Sequence, residues 1–238
     1  MIDTILFDLD GTLLPFSQKD FTDNYYKKLL VKGIELGYDK ERFLPAIFSG
    51  VKSMAKNDGN RSNAEAFWSA FAGATKTDVD EIVARLEHFY ENEFDTVKEI
   101  MQPTPTPRSI ILKLKEKGYD LILATSPMFP PVAARTRLSW IELKPEDFDY
   151  YTTYENSTYC KPNPEYFREI LTKTDKNPAQ CLMVGNNVAE DMCAKKLGME
   201  VYLITDYIEN EAGEDYSAYR QGSLADFEAY VDTLPDLK

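Results

Sequence analysis

The sequence predicts an α/β fold: a doubly wound parallel sheet with helices on both faces and a block of helices inserted after the first strand. Three observations carry this expectation. Apolar runs near residues 4–7, 121–124, 150–153, 181–184 and 201–204 read as buried strands. Helical patterns separate most of them, and that alternation builds parallel sheets. Between residues 16 and 101 the alternation stops, and no strand-like run occurs.

The first run, Ile5-Leu6-Phe7, leads into Asp8-Leu9-Asp10-Gly11-Thr12. Side chains two apart at a strand end point the same way, so Asp8 and Asp10 are expected to face one cleft at the carboxyl end of the strand. Open α/β sheets bind ligands there. Two such carboxylates repel each other unless a metal or a shared proton intervenes. Asp and Gly also close strands as ordinary turn residues, so the downstream residues decide. The inserted block reads as amphipathic helices near 20–36, 41–55, 63–73 and 78–97. Leu29, Leu30 and Ile34 mark the first, with Gly37 beyond them; Ile82, Val83, Leu86, Phe89 and Tyr90 mark the last. Phe67, Trp68 and Phe71 read as core of this block, and His88, the one histidine, as a helix-surface or packing residue. The stretch Pro103-Thr104-Pro105-Thr106-Pro107 suits a stiff, extended boundary. Helices are then expected over 107–117, stopped by Gly118, over 164–171 and over 187–197, stopped by Gly198.

Polar groups follow the later strands. The second ends in Thr125-Ser126-Pro127, and the run at 181–184 in Gly185-Asn186-Asn187-Val188-Ala189-Glu190-Asp191. Lys161 stands in Cys160-Lys161-Pro162-Asn163-Pro164, just before a helical stretch. Each has an ordinary reading alone, since Ser or Thr before Pro starts turns and an isolated lysine is usually solvated. Their order is acid pair, hydroxyl, lysine, polar-acidic loop. It resembles the haloacid dehalogenase superfamily, mostly Mg²⁺-dependent phosphatases, over about residues 1–15 and 102–205.

The resemblance implies a Rossmann-like core at 1–15 and 102–238, with a helical type-1 cap at 16–101. It makes Asp8 the nucleophile and Asp10 the acid that protonates the leaving oxygen and then deprotonates water. The dehalogenases of the superfamily lack that second acid, because a departing halide needs no proton. Thr125, Ser126 and Lys161 would bind the phosphate. Asp8, the Asp10 main-chain carbonyl, Asn186 and Asp191 would supply the metal site. The commonest family pattern reads Gly-Asp-x-x-x-x-Asp, whereas this chain has Gly185-Asn186 and keeps only the later acid. Asn186 still offers a neutral oxygen, so weaker Mg²⁺ binding or heavier reliance on Asp191 is expected. Glu190 reads as a favourable charge at a helix start.

At 238 residues and 43% hydrophobic content the chain can bury a sizeable core. Its net charge of −13 argues against nucleic-acid or anionic-membrane partners. A phosphate site therefore needs local cations, with Lys161 and Mg²⁺ as suppliers and Lys52, Lys56 and Arg61 of the inserted block as candidates to face substrate. The cysteines Cys160, Cys181 and Cys193 lack zinc spacing and suit a reduced, cytoplasmic protein. The expected activity is hydrolysis of a small phosphorylated metabolite through an aspartyl-phosphate. A phosphomutase of the same superfamily and a catalytically weak phosphometabolite-binding protein are the alternatives.

Overall fold

Four consecutive buried residues, Thr4–Phe7, form β1, the strand about which the fold is organised. The computed structural model describes residues 1–102 and 104–238. β1 pairs in parallel with β2 (Asp120–Leu123) on one side and β4 (Cys181–Gly185) on the other. With β3 (Tyr150–Tyr151), β5 (Glu200–Ile204) and β6 (Arg220–Gly222) the sheet runs β3-β2-β1-β4-β5-β6, parallel throughout. All carboxyl ends thus open on one edge. The two-residue alternation of β1 divides its side chains between two cores. Ile5 and Phe7 join Ile110, Leu114, Phe227 and Val231 on one face, while Leu6 joins Tyr166, Phe167 and Ile170 on the other.

The inserted helices are α1 (Gln18–Glu35), α2 (Lys40–Ala55), α3 (Asn63–Thr75) and α4 (Val79–Asn92). Ser17, Asp39, Ser62 and Asp78 accept from first-turn N–H groups and so fix the four starts. The segment expected to extend α4 to 97 is instead a 3₁₀ run, Phe94–Ile100. One apolar cluster runs from the sheet into this block, reaching Phe43, Phe71 and Phe89. Asn63 is fully buried and pins the block to two core loops. Its Nδ2 lies 3.3 Å from the Pro127 and Tyr159 carbonyls and 3.4 Å from Cys160 Sγ. His88 is exposed on α4.

The remaining helices are α5 (Thr106–Lys117), α6 (Pro131–Ser139), α7 (Pro164–Thr174) and α8 (Leu224–Thr233). Several differ from expectation. Pro103 lies outside the described residues, and the boundary stretch is not extended throughout: Pro105 is already helical and caps α5. β3 stops early because Thr152 turns its hydroxyl to the Thr125 carbonyl at 2.7 Å and the Thr153 N–H is taken by Asn156 Oδ1. The helix expected over 187–197 is a tight turn followed by a 3₁₀ run, Met192–Leu197. Asn187 Oδ1 caps that turn, accepting from the Ala189 and Glu190 N–H groups. β6, α6 and α8 were not legible in the periodicity. α6 carries Arg137 among its buried residues Ala133, Ala134 and Leu138, which breaks an apolar stripe. Among the described residues no helix is long and apolar enough to cross a membrane.

Candidate active site

The carboxyl edge of β1 carries the acid pair as expected. Asp8 continues the sheet, its N–H bonding the Val184 carbonyl at 2.9 Å, and the chain then turns sharply at Gly11. Gly11 has φ +81°, and a Cβ there would stand 2.3 Å from Asn186 Nδ2, so both conformation and space demand glycine. The bonds Gly11 N to Leu14 O and Leu14 N to Leu9 O close the turn without using the Asp10 carbonyl.

Lys161, buried at 4% exposure, reaches the acid pair from the loop before α7. Its ammonium donates to Asp8 Oδ1 at 2.8 Å and to Asp191 Oδ1 at 2.6 Å. Burial opposes that charge, but the two carboxylates outweigh it and hold the lysine well above its ordinary pKa. The other Asp191 oxygen accepts from the Asn187 N–H at 3.0 Å. Gly185 makes room for this carboxylate, since a Cβ there would sit 2.2 Å from Asp191 Oδ2. Asp191, expected as a metal ligand, thus has each oxygen in a hydrogen bond, one of them holding Lys161. Asn186 reaches the Asp8 side. Its Oδ1 is 3.1 Å from Thr12 Oγ1, which also donates to Asp8 Oδ2 at 3.2 Å, while its Nδ2 donates to the Tyr207 carbonyl at 2.6 Å.

Asp10 pairs with Arg137, a residue the sequence reading passed over. Arg137 is completely buried, with its guanidinium 4.5 Å from the Phe129 ring centre and its Nε donating to the Ala133 carbonyl. The signal for it was a cation on a helix face otherwise made of alanine and leucine. Burial raises Asp10 to about 6; Arg137 opposes the rise and Asp8 adds to it. Thr125 lies at the end of β2 with its carbonyl held by Tyr166 Oη at 2.8 Å. Among the described residues three buried side-chain polar atoms lack a partner: Asp10 Oδ1, Thr125 Oγ1 and Arg137 Nη2. All three belong to this one site. Buried polar groups are otherwise almost always satisfied, so the orphans mark where a ligand's polar atoms fit.

A cleft of about 440 Å³ opens above these residues, lined also by Ser126, Gln18, Met128 and Phe129. Its far rim is acidic. Glu190, expected to serve only as a helix-start charge, faces this cleft and is raised to about 7, chiefly by burial. Glu209 stands beside it and accepts from Asn187 Nδ2 at 3.0 Å. Lys52, Lys56 and Arg61 do not reach the cleft; they line a separate depression on the helical block. Cys160 is not activated by its lysine neighbour, since burial pushes its thiol up to about 12.

The donor set suits a hard cation. Asp8, the amide oxygen of Asn186 and the free Asp10 carbonyl are oxygen donors, and the carboxylates around them outnumber Lys161 and Arg137. Among the described residues no three His, Cys, Asp or Glu side chains form a ligand cluster.

The haloacid dehalogenase-like hydrolase family pattern matches residues 2–198. The chain belongs to that family. Among its relatives, pyrophosphatase PpaX of Bacillus thuringiensis (strain Al Hakam) is 25% identical over 186 residues, covering 78% of this chain and 75% of its own. A haloacid dehalogenase-family phosphatase of Thermococcus onnurineus superposes with a TM-score of 0.60 at 20% identity, over 99% of this hydrolase and all of that chain. L-2-haloacid dehalogenase of Xanthobacter autotrophicus superposes with a TM-score of 0.58 at 14% identity, over 98% and 100%. At those identities the two structures establish the shared fold, a six-stranded parallel sheet between helices.

Proposed function

We propose that this hydrolase cleaves phosphate monoesters of small metabolites, with Asp8 as nucleophile, Asp10 as general acid and base, and Mg²⁺ as cofactor. The observation that carries the reading is Asp10: a second acid beside the nucleophile, with one oxygen unpartnered and a pKa raised to about 6. Displacement of a halide has no use for a proton donor, whereas an alkoxide leaving group does. The PpaX and T. onnurineus names point the same way.

On this reading Asp8 Oδ2, held by Thr12, attacks phosphorus as the P–O ester bond breaks, and Asp10 passes its proton to the departing oxygen. Asp10, now ionised beside Arg137, takes a proton from the water that attacks the aspartyl-phosphate, which restores both carboxyl groups. Thr125 Oγ1 and the Ser126 N–H bind phosphoryl oxygens. Lys161 offsets the charge of nucleophile and phosphate as a fixed ammonium oriented by Asp191. Mg²⁺, held by Asp8, the Asp10 carbonyl and Asn186, would supply further charge neutralisation. Residues 16–101 would act as the cap and residues 1–15 and 102–238 as the catalytic unit. The three free, buried cysteines agree with a reducing, cytoplasmic setting.

The test is hydrolysis of p-nitrophenyl phosphate with and without Mg²⁺, beside 2-chloropropionate. Phosphate release that needs Mg²⁺ and vanishes in Asp8→Asn is expected. Chloride release without phosphate release would refute the assignment. Asn186 favours one other reading, a weakly catalytic phosphometabolite binder, which predicts saturable phosphate binding with negligible turnover at any Mg²⁺ concentration.

A further inference from the structure

A second cavity, of about 100 Å³, lies between the inserted helices and the core loop after β2. Gln18, Met128 and Phe129 line both this cavity and the catalytic cleft, so the two spaces meet at those side chains. Beyond them and Thr22 the walls are apolar or aromatic, including Leu29, Ile47 and Leu86, together with Phe67 and Trp68, which read from sequence as core of the block. No Lys, Arg, Asp or Glu lines it. Its tyrosine hydroxyls are largely occupied with one another: Tyr25 and Tyr90 meet at 2.7 Å, and Tyr154 accepts from Trp68 Nε1 at 3.3 Å.

We infer that the cavity is the leaving-group subsite, and that the substrate is the phosphate monoester of an uncharged alcohol with an apolar body. The inference rests on the phosphatase reading above for the placement of the phosphate. Charge decides the class. A carboxylate or second phosphate on the leaving group would enter a cavity walled by aliphatic and aromatic side chains, with no cation to receive it. Size sets the limit. An apolar cavity of about 150 Å³ holds benzene, and this one is smaller, so it accepts a branched aliphatic group of about four carbons rather than an aromatic ring. The selection runs against pyrophosphate, the compound in the relatives' name.

Calorimetric titration of the full chain with Mg²⁺ and three non-hydrolysable probes tests the inference without requiring turnover. Burial of three more carbons predicts that 2-methylpropylphosphonate binds at least about tenfold more tightly than methylphosphonate. A carboxylate in their place, as in 2-carboxyethylphosphonate, should abolish that gain. Val51→Phe, at a half-buried wall position, should cut the branched-alkyl preference to under about threefold by filling the space. Equal or tighter binding of the carboxylated probe, or no branched-alkyl preference in the wild type, overturns the subsite. Absence of any binding removes the phosphate site and the inference together. A branched-alkyl preference in a protein that hydrolyses no phosphate ester would leave the subsite standing and sink only the catalytic reading.

Discussion

The strand edge and the helical block handle polarity in opposite ways. At the edge of β1, β2 and β4, charge is concentrated: Asp8, Lys161 and Asp191 are buried together and linked at 2.6–2.8 Å. Beneath the inserted helices an almost chargeless aromatic core surrounds a small void. On the readings proposed above, the first arrangement carries out the reaction and tolerates little change, while the second selects what reacts and can be repacked with the chemistry intact. Buried ions stabilise only when fully paired, and removing one partner typically costs about 3–5 kcal/mol. Core hydrophobes of similar volume exchange for under about 1.5 kcal/mol.

That contrast breaks most visibly at Asp8. Asp8→Asn should lower kcat on p-nitrophenyl phosphate by at least about a thousandfold, because an amide is no nucleophile. Its melting temperature should stay within a few degrees; activity near the wild type would dissolve the assignment. Lys161→Met follows, with a loss of about 10²–10³ in kcat. It should also lower stability measurably, since two buried carboxylates lose their shared cation. Lys161→Arg should restore stability better than rate.

Arg137→Met tests the proton. Asp10 is raised by burial and held down by Arg137, so removing the guanidinium raises it further. In the wild type the ratio of alkyl to aryl phosphate turnover should fall as pH climbs through about 6, where Asp10 loses its proton. In Arg137→Met the fall should begin at higher pH, and comparing the two esters cancels the titration of the substrate. Unshifted profiles would separate Arg137 from the acid. Smaller effects are expected in the loop from Asn186 to Asp191. Asn186→Asp should lower the Mg²⁺ concentration for half-maximal rate about three- to tenfold, because ligand charge tunes affinity for hard cations. Asp191→Asn should act chiefly on kcat, through Lys161. The reverse pattern would return Asp191 to the metal. The weakest effect on rate should come from the helical block. Asn63→Ala should change kcat less than about threefold while costing about 1–3 kcal/mol of stability, the price of buried groups left unpaired. Denaturant titration beside kinetics measures both.

The same division governs how much the sequence disclosed. The positions of Asp8, Asp10, Thr125 and Asn186 at the strand edge were legible because each follows closely on a strand, and that of Lys161 because it stands just before a helix, where backbone geometry alone fixes a direction. Their partners were not. Arg137 reaches Asp10 from mid-helix and Thr12 reaches Asn186 across the turn, and such contacts exist only after several elements have packed. Glu190 was misread for a related reason: Asn187 capped a turn where a helix had been expected, and that re-aimed the glutamate into the cleft. Phe67 and Trp68 had the composition of a core and lie in one, but no periodicity reports that four helices meet around an unfilled volume.

The position of β1 bears on how the molecule comes into being. Both its neighbours come later in the chain and far off: Thr4 registers with Asp120 on one side and Cys181 on the other. Until β4 is made, β1 keeps an open flank of unpaired amides, and Asp8 lacks both Asn186 and Asp191. Non-local pairings of this kind are slow to form and leave an exposed edge during synthesis. Asp8 is thus made well before the residues that complete its surroundings, so the appearance of enzymatic activity during refolding would time the closing of the sheet.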